Sequence, residues 1–287
     1  MPVALLREKL LCFLREDVGM GDLTTAAVAP TGIHARAQIV TKEPAVVAGV
    51  REAQILFKAM EITIVKSIND GADVPPGTIV MEIEGPADSI LTSERTALNI
   101  LTRMSGIATA TRRLIEKIQK TGLRVSLAAT RKTAPGLQYF DKRAIALGGG
   151  DPHRFHLDDC ILIKDNHIVI AGGLEEAVKR ALTNSSFTKK IEVEVRTPEE
   201  AVQAARLGVD IVMLDNMTPE VVKTTLEALA VHGLRDKILV EVSGGVTEEN
   251  IMEYVRLGPD IVSLGDLTHS VQAVDMSLEI TEVKTTG

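Results

Sequence analysis

The sequence predicts an α/β protein, with an α+β first third followed by a β/α barrel. Three observations carry that expectation. Short β-branched runs alternate with amphipathic helical stretches through the second half. The segment RLGVDIVMLDN (206–216) recurs as RLGPDIVSLGD (256–266), an offset of 50 residues that suits two consecutive βα units. Aromatic residues make up only 2% of the 287-residue chain and Trp is absent, so the core must be built from Val, Ile, Leu and Ala. That is the composition of a parallel sheet wrapped in helices.

In chain order, Ala4–Glu16 reads as an amphipathic helix that ends in a turn at GDLTT (21–25). Ala35–Val40, Ala45–Val50, Ile62–Ile68 and Thr78–Ile83 read as strands, with Arg51–Met60 as a helix among them. Asp70–Gly77 is a loop by its Pro and Gly content. A long helix begins at Ser93 and connects to the second half. There the strands are Arg124–Ala128, Cys160–Lys164, Ile191–Val195, Asp210–Leu214, Ile238–Val242 and Asp260–Leu264. Between them lie the helices Leu174–Leu182, Thr197–Leu207, Thr218–Leu229 and Thr247–Leu257. Thr197, Pro198 and Glu200 form a capping box with proline at the first helical position, and Gly208 and Gly258 stand where C-caps belong. An open doubly wound sheet is the alternative architecture. The expected domains are 1–108 (α+β) and 109–270 (barrel), with the tail 271–287, which carries the edge-like strand Ser277–Val283, returning to the first.

The charge balance, 32 cations against 39 acids for a net −7, leaves no global basic field to hold a nucleic-acid backbone or an anionic membrane. Scarce aromatics also argue against base-stacking platforms. Cys12 and Cys160 make neither a disulfide framework nor metal-knuckle spacing, and point to a reducing, cytoplasmic setting. No signal peptide and no apolar run of about 18 residues is present. An anionic ligand would therefore need a local cluster of cations.

Residues 130–167 supply one. Arg131, Lys132, Arg154 and Lys164 lie beside glycines and a proline at strand ends, and His153, His156 and His167 fall within fifteen residues. Arg offers a planar fork to carboxylates and phosphates, and Lys a compact point charge. Gly148–Gly150 would allow close backbone approach to a ligand. Glu192 and Glu194 share one face of IEVEV, and Asp215 ends DIVMLD. Ser243–Gly245 follows a strand and precedes a helix, and Leu264–Asp266 ends the next strand. These are the loops where barrels commonly hold phosphate. Acids and cations at one rim suit a phosphorylated substrate that brings a divalent metal.

The ordered motifs ERTALN, SGIAT, TRKTAPG, GGGDPHR, LIKDNHI, IEVEV, MLDN, EVSGG and LGDLTHS resemble the quinolinate phosphoribosyltransferase family over nearly the whole chain. The resemblance implies an N-terminal α+β sandwich domain joined to an incomplete, open β/α barrel. It implies transfer of phosphoribosyl from phosphoribosyl pyrophosphate to quinolinate with decarboxylation, requiring Mg²⁺ and no organic cofactor. A homodimer with shared sites is implied, with a hexamer as the alternative. Thr130, Arg131, Lys132, His153, Arg154 and Lys164 would hold the quinolinate carboxylates, and Arg95 would reach the partner's site. Glu194 and Asp215 would face the ribose and the Mg-pyrophosphate, with Lys132, Glu194 and Asp215 as the catalytic set. Ser243, Gly244, Gly245, Leu264, Gly265 and Asp266 would cradle the 5′-phosphate. Two positions depart from bacterial relatives, Ala129 for Asp and Asp266 for Ala, and the second puts an anion beside the expected phosphate loop. Three rivals are a paralogue acting on nicotinate or another small carboxylate, a Schiff-base aldolase using Lys132 or Lys164, and a non-catalytic ligand-binding barrel.

Overall fold

The computed structural model describes residues 1–285, so the last two residues of the expected tail lie outside it. The chain divides into two compact units. The first comprises residues 1–112, 139–149 and the segment from Val271 onward; the second comprises 113–138 and 150–270.

The chain opens with α1 (Val3–Val18), α2 (Leu23–Val28), β1 (Ile33–Thr41), β2 (Ala45–Val46) and α3 (Val50–Ala59). There follow β3 (Thr63–Ser67), β4 (Asp73–Val74), β5 (Ile79–Pro86) and α4 (Ala87–Gln119). Leu6, Leu10 and Leu14, one turn apart, form the buried stripe of α1. The expected turn at GDLTT is the start of a short helix, because the Asp22 carboxylate accepts from the Thr25 amide at 2.9 Å. The expected strand over 45–50 stops at Val46. Gly49 adopts φ +96°, and Asp70 accepts from the amides of Val50 and Arg51 at 2.9 and 3.4 Å, so a helix begins there instead.

The second unit holds β6 (Ser126–Ala129), β7 (Ile161–Ile163), β8 (Ile191–Val195), β9 (Ile211–Asp215), β10 (Leu239–Ser243) and β11 (Ile261–Leu264). They form one parallel sheet in the order β6-β11-β10-β9-β8-β7. Six strands, with β6 and β7 at the two edges, make an open β/α barrel. Asp151 adds a single parallel bridge to Ala128 beside the β6 edge. Along each strand, alternate residues face opposite ways. Val193, Val212, Val240, Val242 and Val262 are fully buried, on the opposite face from the acids and serines of the same strands.

Helices α5 (Gln138–Gly148), α6 (Asp165–Ala171), α7 (Leu174–Asn184), α8 (Pro198–Leu207), α9 (Pro219–Val231), α10 (Ile251–Val255) and α11 (Asp266–His269) complete the set before β12 (Met276–Thr285). Thr197 caps α8 as expected, accepting from the Glu200 amide at 3.2 Å, but Glu200 reaches back to the Arg196 amide, one residue before the usual partner. Helix α10 starts four residues later than its apolar spacing suggests. Asn250 accepts from the Thr247 amide and donates to the Gly245 carbonyl, which ties 245–250 into a loop.

Helix α5 falls in the first unit, where Phe140, Ala144 and Ile145 are buried and the fully buried Asp141 takes both arms of Arg103 at 2.8 and 2.9 Å. Gly148 also serves packing there, not a ligand. A Cβ on it would meet the Ala108 carbonyl and Thr111 Cβ at 2.6 Å. β12 pairs antiparallel with the outer side of β1 in a sheet of order β12-β1-β5-β3. Among the described residues, no helix is long and apolar enough to cross a membrane.

Candidate active site

A cavity of about 490 Å³ occupies the C-terminal end of the barrel strands. Four cations reach it from loops after β6 and β7 and from the PHR turn: Arg131, Lys132, Arg154 and Lys164. Strand ends supply Glu194, Asp215 and Ser243. Arg131 and Lys132 are exposed and, among the described residues, make no ion pair. Lys164 is paired with Glu194, and Asp215 accepts from the Asn216 amide group at 2.9 Å. Two unpartnered cations at a concave rim, in a chain of net charge −7, are what a small polyanion requires.

The loop after β10 is shaped by backbone. Gly244 and Gly245 have φ +81° and +65°, in the left-handed region. A Cβ on Gly244 would stand 2.6 Å from Asn216 Oδ1, so a side chain there must displace Asn216. The expected helix N-terminus does not follow it directly, since α10 begins at Ile251. At the next strand end, Gly265 leaves room for the Lys132 stem, whose Cδ lies 3.2 Å from where a Cβ would be. Thr268 donates to the Lys132 carbonyl at 2.8 Å and so fixes that loop. Asp266 lines the cavity with its carboxylate 3.4 Å from His269 Nε2.

Thr130, Gly244, Gly245, Gly265 and Asp266 line the cavity alongside the cations and acids named above. Leu264 does not. Its side chain is buried at 1% exposure, because the period-two alternation of β11 turns it to the face away from the cavity. Arg95 lies exposed on α4 in the first unit. Of the three clustered histidines only His153 lines the cavity. His156 is exposed, and His167 is spent locally, accepting from the Lys164 amide at 2.9 Å.

His153 is not a simple surface cation. Its Nδ1 accepts from the Arg154 amide at 2.8 Å, and its Nε2 lies 3.2 Å from Glu241 and 3.6 Å from Glu192. Both ring nitrogens are thus engaged by protein. Glu192 is fully buried, and its raised carboxyl pKa comes first from burial and then from the Glu241 charge, with His153 offsetting both. Burial opposes charge on His153, but the neighbouring Glu192 and Glu241 carboxylates outweigh it and push the imidazole up to about 10. An amide donor at Nδ1 keeps the neutral ring's proton on Nε2.

Below these residues a second cavity of about 700 Å³ opens at the N-terminal ends of the strands, lined by Arg124, Ser126, Lys190 and Glu192 among others. His153 and Arg154 line both cavities. Sequence reading missed Glu241, Asn216, His269 and Ser263. For Glu241 and Ser263 a signal existed, a polar residue at the centre of an otherwise β-branched strand. Asn216 and His269 carry no local signal of that kind.

The family models for quinolinate phosphoribosyl transferase match on both sides of the chain, the N-terminal domain over residues 22–105 and the C-terminal domain over 107–279. The chain is 48% identical to the probable nicotinate-nucleotide pyrophosphorylase (carboxylating) of Methanothermobacter thermautotrophicus, covering 94% of this chain and 97% of that one. It is 37% identical to the human nicotinate-nucleotide pyrophosphorylase (carboxylating), covering 93% and 89%. The solved structure of the nicotinate-nucleotide pyrophosphorylase from Francisella tularensis superposes with a TM-score of 0.89 at 35% identity over 98% of both chains. On these matches, the protein belongs to the quinolinate phosphoribosyl transferase family.

Proposed function

We propose that the protein transfers phosphoribosyl from phosphoribosyl pyrophosphate to quinolinate and releases carbon dioxide, giving nicotinate mononucleotide and pyrophosphate for NAD biosynthesis. The observation that carries the reading is the cation-lined cavity at the strand ends, with Arg131 and Lys132 unpaired beside Arg154 and Lys164. A pyridine dicarboxylate matches that constellation, since each carboxylate takes charge-assisted hydrogen bonds from Arg or Lys. His153 braces the floor from which Arg154 acts. The glycine loop after β10 and the Gly265 turn form the concavity for the 5′-phosphate, with backbone amides as donors.

The pyridine nitrogen forms its bond to the anomeric carbon as pyrophosphate leaves with its electron pair. Positive charge develops on the ribose in that step. Glu194 and Asp215, at the ends of β8 and β9, face the space where it develops and stabilise it electrostatically. Lys132 neutralises the departing pyrophosphate. Once ribosylated, the ring nitrogen is cationic. The bond from the adjacent carbon to its carboxylate then breaks, carbon dioxide leaves, and the electron pair stays on carbon until it takes a proton. The substrate supplies its own electron sink, so no organic cofactor is needed.

Two strand-end carboxylates fit Mg²⁺, which is held by one or two carboxylates together with substrate phosphates. Glu194 and Asp215 would hold it with the pyrophosphate, and bound there it would draw charge from the leaving group. We further propose a cytoplasmic homodimer, in which Arg95 of each subunit completes the neighbouring subunit's dicarboxylate pocket. Assaying quinolinate against nicotinate as phosphoribosyl acceptor tests the reading. Turnover of quinolinate with little or none of nicotinate is expected, and the reverse preference would sink it.

A further inference from the structure

The structure buries two acids in the barrel that the proposed chemistry does not use. Glu192 and Glu241 are fully buried, and both oxygens of Glu192 and one of Glu241 have no hydrogen-bond partner, nor does the Ser263 hydroxyl. Burying carboxylates without full pairing costs stability, and apolar side chains of similar volume often do better in such places. What these acids do contact is His153, which has φ +52°. Only three non-glycine residues among those described have positive φ, and this one directly precedes Arg154.

A left-handed backbone at a non-glycine residue persists only where its surroundings hold it. Four contacts hold this one. The Asp151 carboxylate accepts from the His153 amide at 2.6 Å, the Arg154 amide donates to Nδ1 at 2.8 Å, and Nε2 lies 3.2 and 3.6 Å from Glu241 and Glu192. The spacing of the three side chains would also suit a divalent cation. A metal on Nε2, however, would normally leave Nδ1 protonated and donating. Here Nδ1 accepts from an amide, so Nε2 carries the proton and donates to Glu241.

We propose that Glu192 and Glu241 are positioning residues. They clamp the His153 ring from beneath, hold the PHR turn in its left-handed form, and thereby aim Arg154 at the substrate carboxylate. The inference rests on the reading of Arg154 as a quinolinate ligand. It explains why the barrel floor is acidic under a site for an anion: the carboxylates act on the turn through His153, and Arg154 carries the positive charge to the surface of the cavity.

The test replaces Glu241 by Met, which removes the acceptor while keeping similar bulk, and by Gln, which keeps an acceptor oxygen. Glu241→Met should raise the quinolinate KM by about 10- to 100-fold, the equivalent of one charge-assisted hydrogen bond. The phosphoribosyl pyrophosphate KM should stay within about twofold. Glu241→Gln should recover most of the quinolinate affinity. A merely structural role predicts a lower Tm with the quinolinate KM unchanged, and either that result or a parallel rise in both KM values overturns the inference. Should Glu241→Met not fold, Glu192→Met carries the same test, and failure of both to fold makes the acids structural and ends the proposal. Wild type that neither binds nor converts quinolinate overturns the functional reading and this inference with it. Wild type that does, beside variants that match it, overturns the inference alone.

Discussion

Gly244→Ala isolates the contribution of the phosphate loop. Gly244 has φ +81°, and an added Cβ would lie 2.6, 2.7 and 2.8 Å from the Oδ1, Cγ and Nδ2 of Asn216. A left-handed L-residue costs roughly 1–2 kcal/mol. Asn216 must also rotate away, giving up its hydrogen bond to the Asp215 carboxylate, worth about 1.5–3 kcal/mol as a bond to a charged group. The sum, roughly 2.5–5 kcal/mol, falls on the loop between β10 and α10, which relaxes and loses its concave shape. Gly208→Ala is the control. Gly208 has φ +91° with nothing within 4 Å of an added Cβ, and it caps α8 outside the cavity. It bears the backbone cost alone. Both variants should lose Tm at about 2–4 °C per kcal/mol, Gly244→Ala more than Gly208→Ala. Steady-state kinetics should separate them further, with the phosphoribosyl pyrophosphate KM up about 10- to 100-fold in Gly244→Ala only. If the two variants share one KM, the loop does not bind the phosphate.

Lys132→Ala should reduce kcat/KM by about 10-fold or more while leaving the Tm in place, since Lys132 is exposed and makes no ion pair among the described residues; a value within about twofold of wild type removes it from the site. Mixing Arg95→Ala with Lys132→Ala subunits should restore roughly a quarter of wild-type activity, because in a two-fold dimer with donation in trans one site of each mixed pair carries neither lesion. A doubly tagged mixed dimer as inactive as its parents places Arg95 outside the partner's site. Stability should fall as pH rises from the ordinary carboxyl value of 4.5, because the raised pKa of buried Glu192 makes the folded state hold a proton that the unfolded chain has released. Glu192→Gln should therefore gain Tm relative to wild type as pH is raised from about 5 to about 9, and a constant difference would contradict the assignment.

The strands of the barrel are legible because a β-branched run such as IEVEV can only be a buried strand, and the loops after them because TRKT and SGG interrupt that pattern at its ends. The cation cluster follows from those positions, and the cavity holds Arg131, Lys132, Arg154 and Lys164 together. What sequence could not give is long-range. Helix α5 is hidden because its Asp141, buried and polar, is satisfied by Arg103, 38 residues earlier. Gly148 looks like a ligand loop until α4 is seen against it. Leu264 belongs to the right strand end but to its other face, a distinction of one residue in register. Glu241 stayed unread because its meaning depends on His153, 88 residues away in sequence.

The most direct test of the central claim is stoichiometry. Purified protein, phosphoribosyl pyrophosphate and Mg²⁺ are incubated with quinolinate labelled in the carboxylate next to the ring nitrogen, and nicotinate mononucleotide, pyrophosphate and released carbon dioxide are counted together. Equal amounts of all three, lost when Mg²⁺ is chelated, are predicted. Pyrophosphate without labelled carbon dioxide, or turnover of nicotinate in place of quinolinate, would contradict the assignment of this cavity to a dicarboxylate.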